Sequence, residues 1–143
     1  SNPDLKQELM GALTVTKLPA RVEELLGRIK DPAKVRLHDV DTWVVFLLRN
    51  RYGRQLAWDW LRENWSWIEK TFEGDKSYDS FPRYAASSFN TRTLYEEYKT
   101  FFEPLKDNVA LNRNIVLGVE ELNSRVQWLE RDQSSVADFL TRS

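Results

Sequence analysis

Four tryptophans within ten residues set the strongest constraint on how this chain folds. They fall in Gly53 to Phe72, GRQLAWDWLRENWSWIEKTF. Wound at about 100° per residue, this stretch separates into two unequal arcs. Asp59, Arg62, Glu63, Ser66, Glu69 and Lys70 share a polar arc, while Leu56, Ala57, Leu61, Ile68 and Phe72 lie opposite. Trp58 and Trp65 close one edge of the apolar arc, and Trp60 and Trp67 close the other. That arc covers about 200°, where an ordinary surface helix shows a stripe nearer ~100°. Such a helix needs neighbours on both flanks. Asn64 points into the middle of the apolar arc, and a buried amide must be hydrogen-bonded, so it is predicted to tie the helix to a neighbouring turn. Trp65→Ala is expected to cost roughly 3–5 kcal/mol provided the ring is buried.

The rest of the chain also reads as helix. Leu5, Leu9, Ala12 and Leu13 form a short amphipathic pattern. Pro19 suits a first helical position, and Val22, Leu25, Leu26 and Ile29 supply that helix's buried face. Asp31 is a good N-cap for a short turn through Arg36. Asp39 or Asp41 is predicted to cap a helix carrying Trp43, Val44, Phe46, Leu47 and Leu48, which stops at a left-handed Gly53. Gly74-Asp75 signals a turn, and Pro82 is placed near the start of another short helix. Asn90 or Thr91 caps a helix bearing Leu94, Tyr95, Tyr98, Phe101 and Phe102, which Pro104 ends; Thr93 and Glu96 also have capping-box spacing. Leu111, Ile115, Val119, Leu122, Val126 and Leu129 form an apolar stripe, and Ser134 or Ser135 caps a last helix with Val136, Phe139 and Leu140. No stretch alternates with period two long enough to compete as a strand. The fold class is therefore all-α: a stack of short antiparallel helices, an α-solenoid of the HEAT or armadillo kind.

Composition narrows the function. The 143 residues are 41% apolar and 30% charged, as in a soluble globular protein. At that length a single domain buries roughly 68–70% of its unfolded surface. The net charge of −1 gives no basic field for nucleic acid or anionic lipid. No apolar run approaches the ~20 residues of a membrane span. The chain has no cysteine, which removes disulfides, thiolate metal sites and cysteine nucleophiles and fits a cytoplasmic location. Residues 1–3, Ser-Asn-Pro, resemble a cleaved-tag scar and a frayed start. Residues 4–143 are expected to form one helical-repeat domain, the C-terminal part of a larger protein.

No catalytic or metal-binding residue is expected in this chain. His38 is the only histidine, and before a helix it reads as a solvated or capping residue. The pairs Glu23-Glu24, Glu96-Glu97 and Glu120-Glu121 point about 100° apart on helices, which makes them solvated faces rather than acid–base pairs. Arg83, Tyr84, Arg92 and Tyr95 mix charge with aromatic rings on two neighbouring helices. Facing a cavity, they would hold a peptide carboxylate; facing solvent, they are ordinary snorkelling side chains.

Several of these segments carry more than periodicity. GRQLAWDWLRENW, from Gly53 to Trp65, resembles a hallmark of the C-terminal helical domain of aminopeptidase N-type zinc enzymes. Asp31-Pro32 with Lys34, Arg36 and Asp39 is similar to that family's DP-x-K-x-R-x-x-D turn. Phe89-Asn90-Thr91 with Leu94 and Phe102 resembles its F-[ST]-T…L…F segment. Glu120, Leu122, Val126, Trp128 and Leu129 fit its closing E-x-[IL]-x-x-x-[IV]-x-W-[LM] pattern. Relatives often carry a basic residue where this chain has Ser88. The resemblance implies a curved helical stack that walls the cavity through which peptides reach a zinc. On that resemblance the metal would lie in a catalytic domain of the same polypeptide, where it would polarise the scissile carbonyl and activate water with a glutamate as base. It also implies that Trp58, Asn64, Trp65 and Trp128 are architectural, alongside Trp60 and Trp67. The alternative is a stand-alone helical-repeat module that binds a protein or peptide.

Overall fold

The computed structural model describes residues 19–31, 33 and 35–142. Among them are seven α-helices and no strand. The helices are α1 (Pro19–Arg28), α2 (Val40–Arg49), α3 (Arg54–Glu63), α4 (Trp65–Phe72), α5 (Lys76–Ser88), α6 (Arg92–Phe102) and α7 (Val109–Arg142). Short 3₁₀ turns at Leu37–Asp39 and Glu103–Leu105 precede α2 and follow α6. The amphipathic pattern at Leu5–Leu13, Pro32, Lys34 and the His38 side chain lie outside the described set. The chain forms two compact units that divide between Tyr78 and Asp79, inside α5.

In the first unit, α3 packs against both α1 and α2, as its wide apolar arc requires. Val22, Leu25, Leu26 and Ile29 of α1 are buried, as are Trp43, Val44, Leu47 and Leu48 of α2. Gly53–Phe72 is not one helix, however. Asn64, with φ −107° and ψ 16°, separates α3 from α4. Its side-chain amide donates to the Trp60 carbonyl at 2.8 Å, and its backbone N–H donates to the same oxygen at 2.9 Å. Asparagine competes in this way with the helix ladder, so the tie closes its own turn rather than reaching a neighbouring one. The two arcs survive the break. Ala57, Trp58, Leu61, Trp65, Ile68 and Phe72 are buried, and Glu63, Ser66 and Lys70 are exposed. Half-buried Trp60 and Trp67 meet edge to face, with ring centroids 6.3 Å apart.

The junctions show which local signals were legible. Asp31 Oδ1 accepts the Ala33 N–H at 3.0 Å, as predicted. At α2 the 3₁₀ turn leads in: the Val40 N–H donates to the Leu37 carbonyl, and Asp39 pairs with Arg36 instead of capping. Gly53 is not left-handed, with φ −103° and ψ −9°. Asn50 shapes that turn, its Oδ1 accepting from Tyr52 N at 2.8 Å and Gly53 N at 2.9 Å. Glycine is there for space, since a Cβ would lie 3.3 Å from Val22 Cγ1. Arg54 then donates from Nε to the Leu48 carbonyl at 2.9 Å and from Nη2 to that of Arg49 at 3.3 Å, satisfying the end of α2. Gly74 does adopt φ +88°, in the turn that the sequence marks.

The second unit packs α6 against α7. Thr91 caps α6, its Oγ1 accepting the Leu94 N–H at 3.2 Å. Pro82 is the seventh residue of α5, not near its start. It adds no N–H to the ladder, and its carbonyl accepts the buried Tyr98 hydroxyl at 2.9 Å. The stripe predicted on α7 is buried at Leu111, Ile115, Leu122 and Val126. The helix then continues through Ser134 and Ser135 instead of restarting, for 34 residues or about 51 Å. No glycine or proline follows Gly118 within it, and a helical serine costs well under ~1 kcal/mol. The stack therefore contains one long helix as well as short ones.

Candidate functional site

The four residues singled out from the sequence sit on α5 and α6, but they do not form one cluster. Arg83 pairs with Glu121 of α7 at 3.2 Å. Half-buried Tyr84 lies against Phe81, with centroids 6.0 Å apart, and its carbonyl accepts the Ser87 and Ser88 hydroxyls. Arg92 and Tyr95 do come together, the guanidinium carbon lying 5.2 Å from the ring centroid of Tyr95. Arg92 also grips Glu130 of α7 two ways, from Nη2 to Oε1 at 2.7 Å and from Nε to Oε2 at 3.3 Å. Both guanidinium groups therefore brace helices onto α7.

A cleft of about 350 Å³ opens beside this brace, lined by Asn90, Thr91, Arg92, Val126, Leu129, Glu130 and Gln133. The cap of α6 positions Thr91 and Arg92, and the α7 stripe supplies the apolar wall. One cation, one carboxylate, two amides and a hydroxyl equip it to hold a polar ligand. A ligand carboxylate would have to displace Glu130 from Arg92, because that pair is already bidentate.

The pair also sets an acid-side dependence. The hydrogen bond from Arg92 holds the Glu130 carboxyl below its ordinary value of 4.5, against a smaller opposing effect of burial. A depressed carboxylate stabilises the fold fully above its unfolded value and loses that contribution as pH falls through the folded value. Glu130→Gln should therefore flatten the fall in urea midpoint between neutral pH and the acid side of 4.5. Both partners are exposed to solvent, so the effect is small and shrinks with salt. An unchanged acid limb in the variant would show that the pair is energetically silent.

One functional-looking residue escapes sequence reasoning. Arg125 donates from Nη1 to the carbonyls of Ala86 at 2.8 Å and Phe89 at 2.7 Å, closing the C-terminal end of α5, and from Nη2 to Glu121 at 3.1 Å. It occupies an unspecified position of the closing motif, where a lone helical arginine looks solvated. Trp128 departs in the other direction. Expected to be architectural, it is 60% exposed, because it lies off the stripe that faces α6.

Among the described residues, no three His, Cys, Asp or Glu side chains gather to hold a metal ion, so these residues do not fit a zinc site. No described helix is long and apolar enough to cross a membrane. Residues 1–124 match the family described as the ERAP1-like C-terminal domain. The chain belongs to that family. Relatives match over nearly its whole length. Aminopeptidase N of Lactobacillus helveticus is 34% identical over 143 residues, which is 100% of this chain and 17% of that protein. Aminopeptidase N of Lactococcus lactis subsp. lactis is 31% identical over 140 residues, 98% of this chain and 16% of that protein. Glutamyl aminopeptidase of Bitis rhinoceros is 28% identical over 139 residues, 96% and 15% respectively. This ERAP1-like domain thus spans only about a sixth of the relatives it matches. Its fold class agrees with the resemblance read from the motifs.

Proposed function

We propose that this chain is the C-terminal helical part of an aminopeptidase that removes N-terminal residues from peptides. The parent's zinc and catalytic groups would lie in a catalytic domain of the same polypeptide, and this segment would wall the substrate cavity without performing chemistry. The observation that carries the reading is the alignment of the whole chain to 17% of a protein named aminopeptidase N. Arg83, Tyr84, Arg92 and Tyr95 remain the candidates for contact with the far end of a peptide, with Arg92 foremost because it borders the cleft. A cytoplasmic location belongs to the same reading and is supported by the cysteine-free sequence.

The test is hydrolysis of an aminoacyl p-nitroanilide. The full polypeptide should release nitroaniline and lose activity to a chelator, while the 143-residue chain alone should be silent. Turnover by the isolated chain would overturn the division of labour. An upstream reading frame without an H-E-x-x-H motif would overturn the parentage. For the cavity role, Arg92→Ala in the full polypeptide should raise KM severalfold for long peptides and leave the short anilide unchanged. Equal effects on both substrates would remove Arg92 from the substrate path.

A further inference from the structure

The Arg92 guanidinium is engaged on three sides before any ligand arrives. Its side-on fork is taken by Glu130, with Nη2 to Oε1 at 2.7 Å and Nε to Oε2 at 3.3 Å. Nη1 donates to Asn123 Oδ1 at 3.5 Å, and the guanidinium lies over the Tyr95 ring, its carbon 5.2 Å from the centroid. Among the described residues that line the cleft beside this brace, Arg92 is the one cation and Glu130 the one carboxylate. The pair carries no net charge, yet its carboxylate stays at the cleft, half exposed. The rest of the lining is neutral. Val126 and Leu129 give it an apolar wall, and exposed Asn90 and Gln133 each bring it an amide. A side-chain amide offers both donors and an acceptor, the complement of a peptide group. Thr91 Oγ1 accepts the Leu94 N–H at 3.2 Å and still carries its own proton for an acceptor. Arg131 borders the adjoining hollow, with Gln127 and Ser134.

We propose that Glu130 is the specificity-determining residue of this cleft: it withholds Arg92 from a terminal carboxylate, so the cleft takes the uncharged main chain of a peptide. The inference rests on the reading of the chain as part of an aminopeptidase, and it names which part of a peptide the cleft reads. Two physical steps carry it. A ligand carboxylate that takes the fork must expel Glu130, exchanging one charge-assisted bidentate pair for another of the same kind. That exchange gains little, and the expelled carboxylate stays nearby. A carboxylate that enters without expelling Glu130 meets a like charge directly. Discrimination of this sort comes from a repulsive group aimed at the wrong ligand. An uncharged stretch of peptide meets neither obstacle. Its N–H and C=O groups find partners in Asn90, Gln133 and Thr91, which matters because a polar group buried without a partner is costly. Its side chains find Val126 and Leu129. The volume of about 350 Å³ lies at the small end of ligand-sized clefts, which suits a short stretch of chain rather than a folded partner.

Matched peptides test this on the full polypeptide. They begin with the same residue as the anilide, increase in length, and are each made with a free C-terminal carboxylate and as the C-terminal amide. In the native protein the initial-rate KM should agree between acid and amide within about twofold at every length. Glu130→Gln keeps an acceptor for Arg92 and removes the charge, so the KM of the longer acids should fall about three- to fivefold relative to their amides. Glu120→Gln makes the same change of charge at an exposed position further back on α7 and should leave the ratio where it was. A severalfold native preference for the acid would overturn the proposal, as would an unchanged ratio in Glu130→Gln or an equal shift in Glu120→Gln. In each of those cases, continued hydrolysis of the anilide leaves the aminopeptidase reading standing. A full polypeptide that hydrolyses neither the anilide nor the peptides would overturn both.

Discussion

Gly118→Ala is expected to destabilise the chain by about 3 kcal/mol, from overpacking and a strained hydrogen bond together. A Cβ at this position would lie 2.3 Å from the Tyr98 hydroxyl, 3.2 Å from its Cζ and 3.1 Å from Ala86 Cβ. Tyr98 has little room to retreat. Its ring sits 4.8 Å from that of Phe102 and 6.4 Å from that of Phe89, and its hydroxyl donates to the Pro82 carbonyl at 2.9 Å. Burial pushes the hydroxyl above the ordinary phenol range, so it remains a donor at neutral pH. Glycine is thus required for close approach of Tyr98 to α7. Tyr98→Phe alone should cost about 1–2 kcal/mol, because the Pro82 carbonyl loses its tyrosine donor. In a Gly118→Ala/Tyr98→Phe double variant the closest clash is gone, so the two losses should add to less than their sum by about 1 kcal/mol. Urea titration followed by circular dichroism measures all three. A single-variant loss under ~1 kcal/mol would mean that α7 shifts freely at Gly118.

Why was this contact invisible in the sequence while the helices around it were legible? Periodicity reports which side of a helix is apolar, and that side is buried in α1–α4, in α6 and in α7 as far as Val126, whereas Val136, Phe139 and Leu140 further along α7 are exposed. The α7 stripe is buried at Leu111, Ile115, Leu122 and Val126, and the α3–α4 arcs persist across the break at Asn64. Local chemistry reported Thr91 as a cap and Gly74 as a turn, because each acts within a few residues. Most of the differences depend on partners distant in sequence or on competition within a turn; the uninterrupted run of α7 through Ser134 and Ser135 is the exception, set by the absence of a helix breaker. Gly53 looks like a left-handed stop, but its reason is Val22, thirty-one residues earlier. Pro82 looks like a helix start, yet α5 carries it in its interior and its carbonyl serves Tyr98. Arg54 and Arg125 each finish another helix by donating to its last carbonyls, and a bare sequence shows them only as charged helical residues. The candidate site follows the same rule. The charge and aromatic character of Arg83, Tyr84, Arg92 and Tyr95 were visible. The carboxylates that claim the two arginines, Glu121 and Glu130, lie 38 residues downstream in each case.

The contrast between two tryptophans carries this lesson into a measurement. Trp65→Ala should cost about 3–5 kcal/mol, the usual loss for removing a large buried ring. Trp65 is 7% exposed, opens α4, and lies 5.7 Å from the ring of Tyr78, whose hydroxyl donates to Glu69 Oε2 at 2.7 Å. Its removal would open a cavity between α4 and the first turn of α5 and loosen the ring that anchors Glu69. Trp128→Ala in the same 143-residue chain should change stability by no more than ~0.5 kcal/mol, because its ring is 60% exposed. Both residues belong to motif segments that resemble the same family, so motif membership alone predicts equal effects. Burial predicts a difference of at least about 2.5 kcal/mol. Circular dichroism in urea decides between them. A loss below 1 kcal/mol from Trp65→Ala, on the order of a surface change, would show that α4 closes over the vacancy. A loss above ~2 kcal/mol from Trp128→Ala would mean that the ring already has a packing partner within this chain.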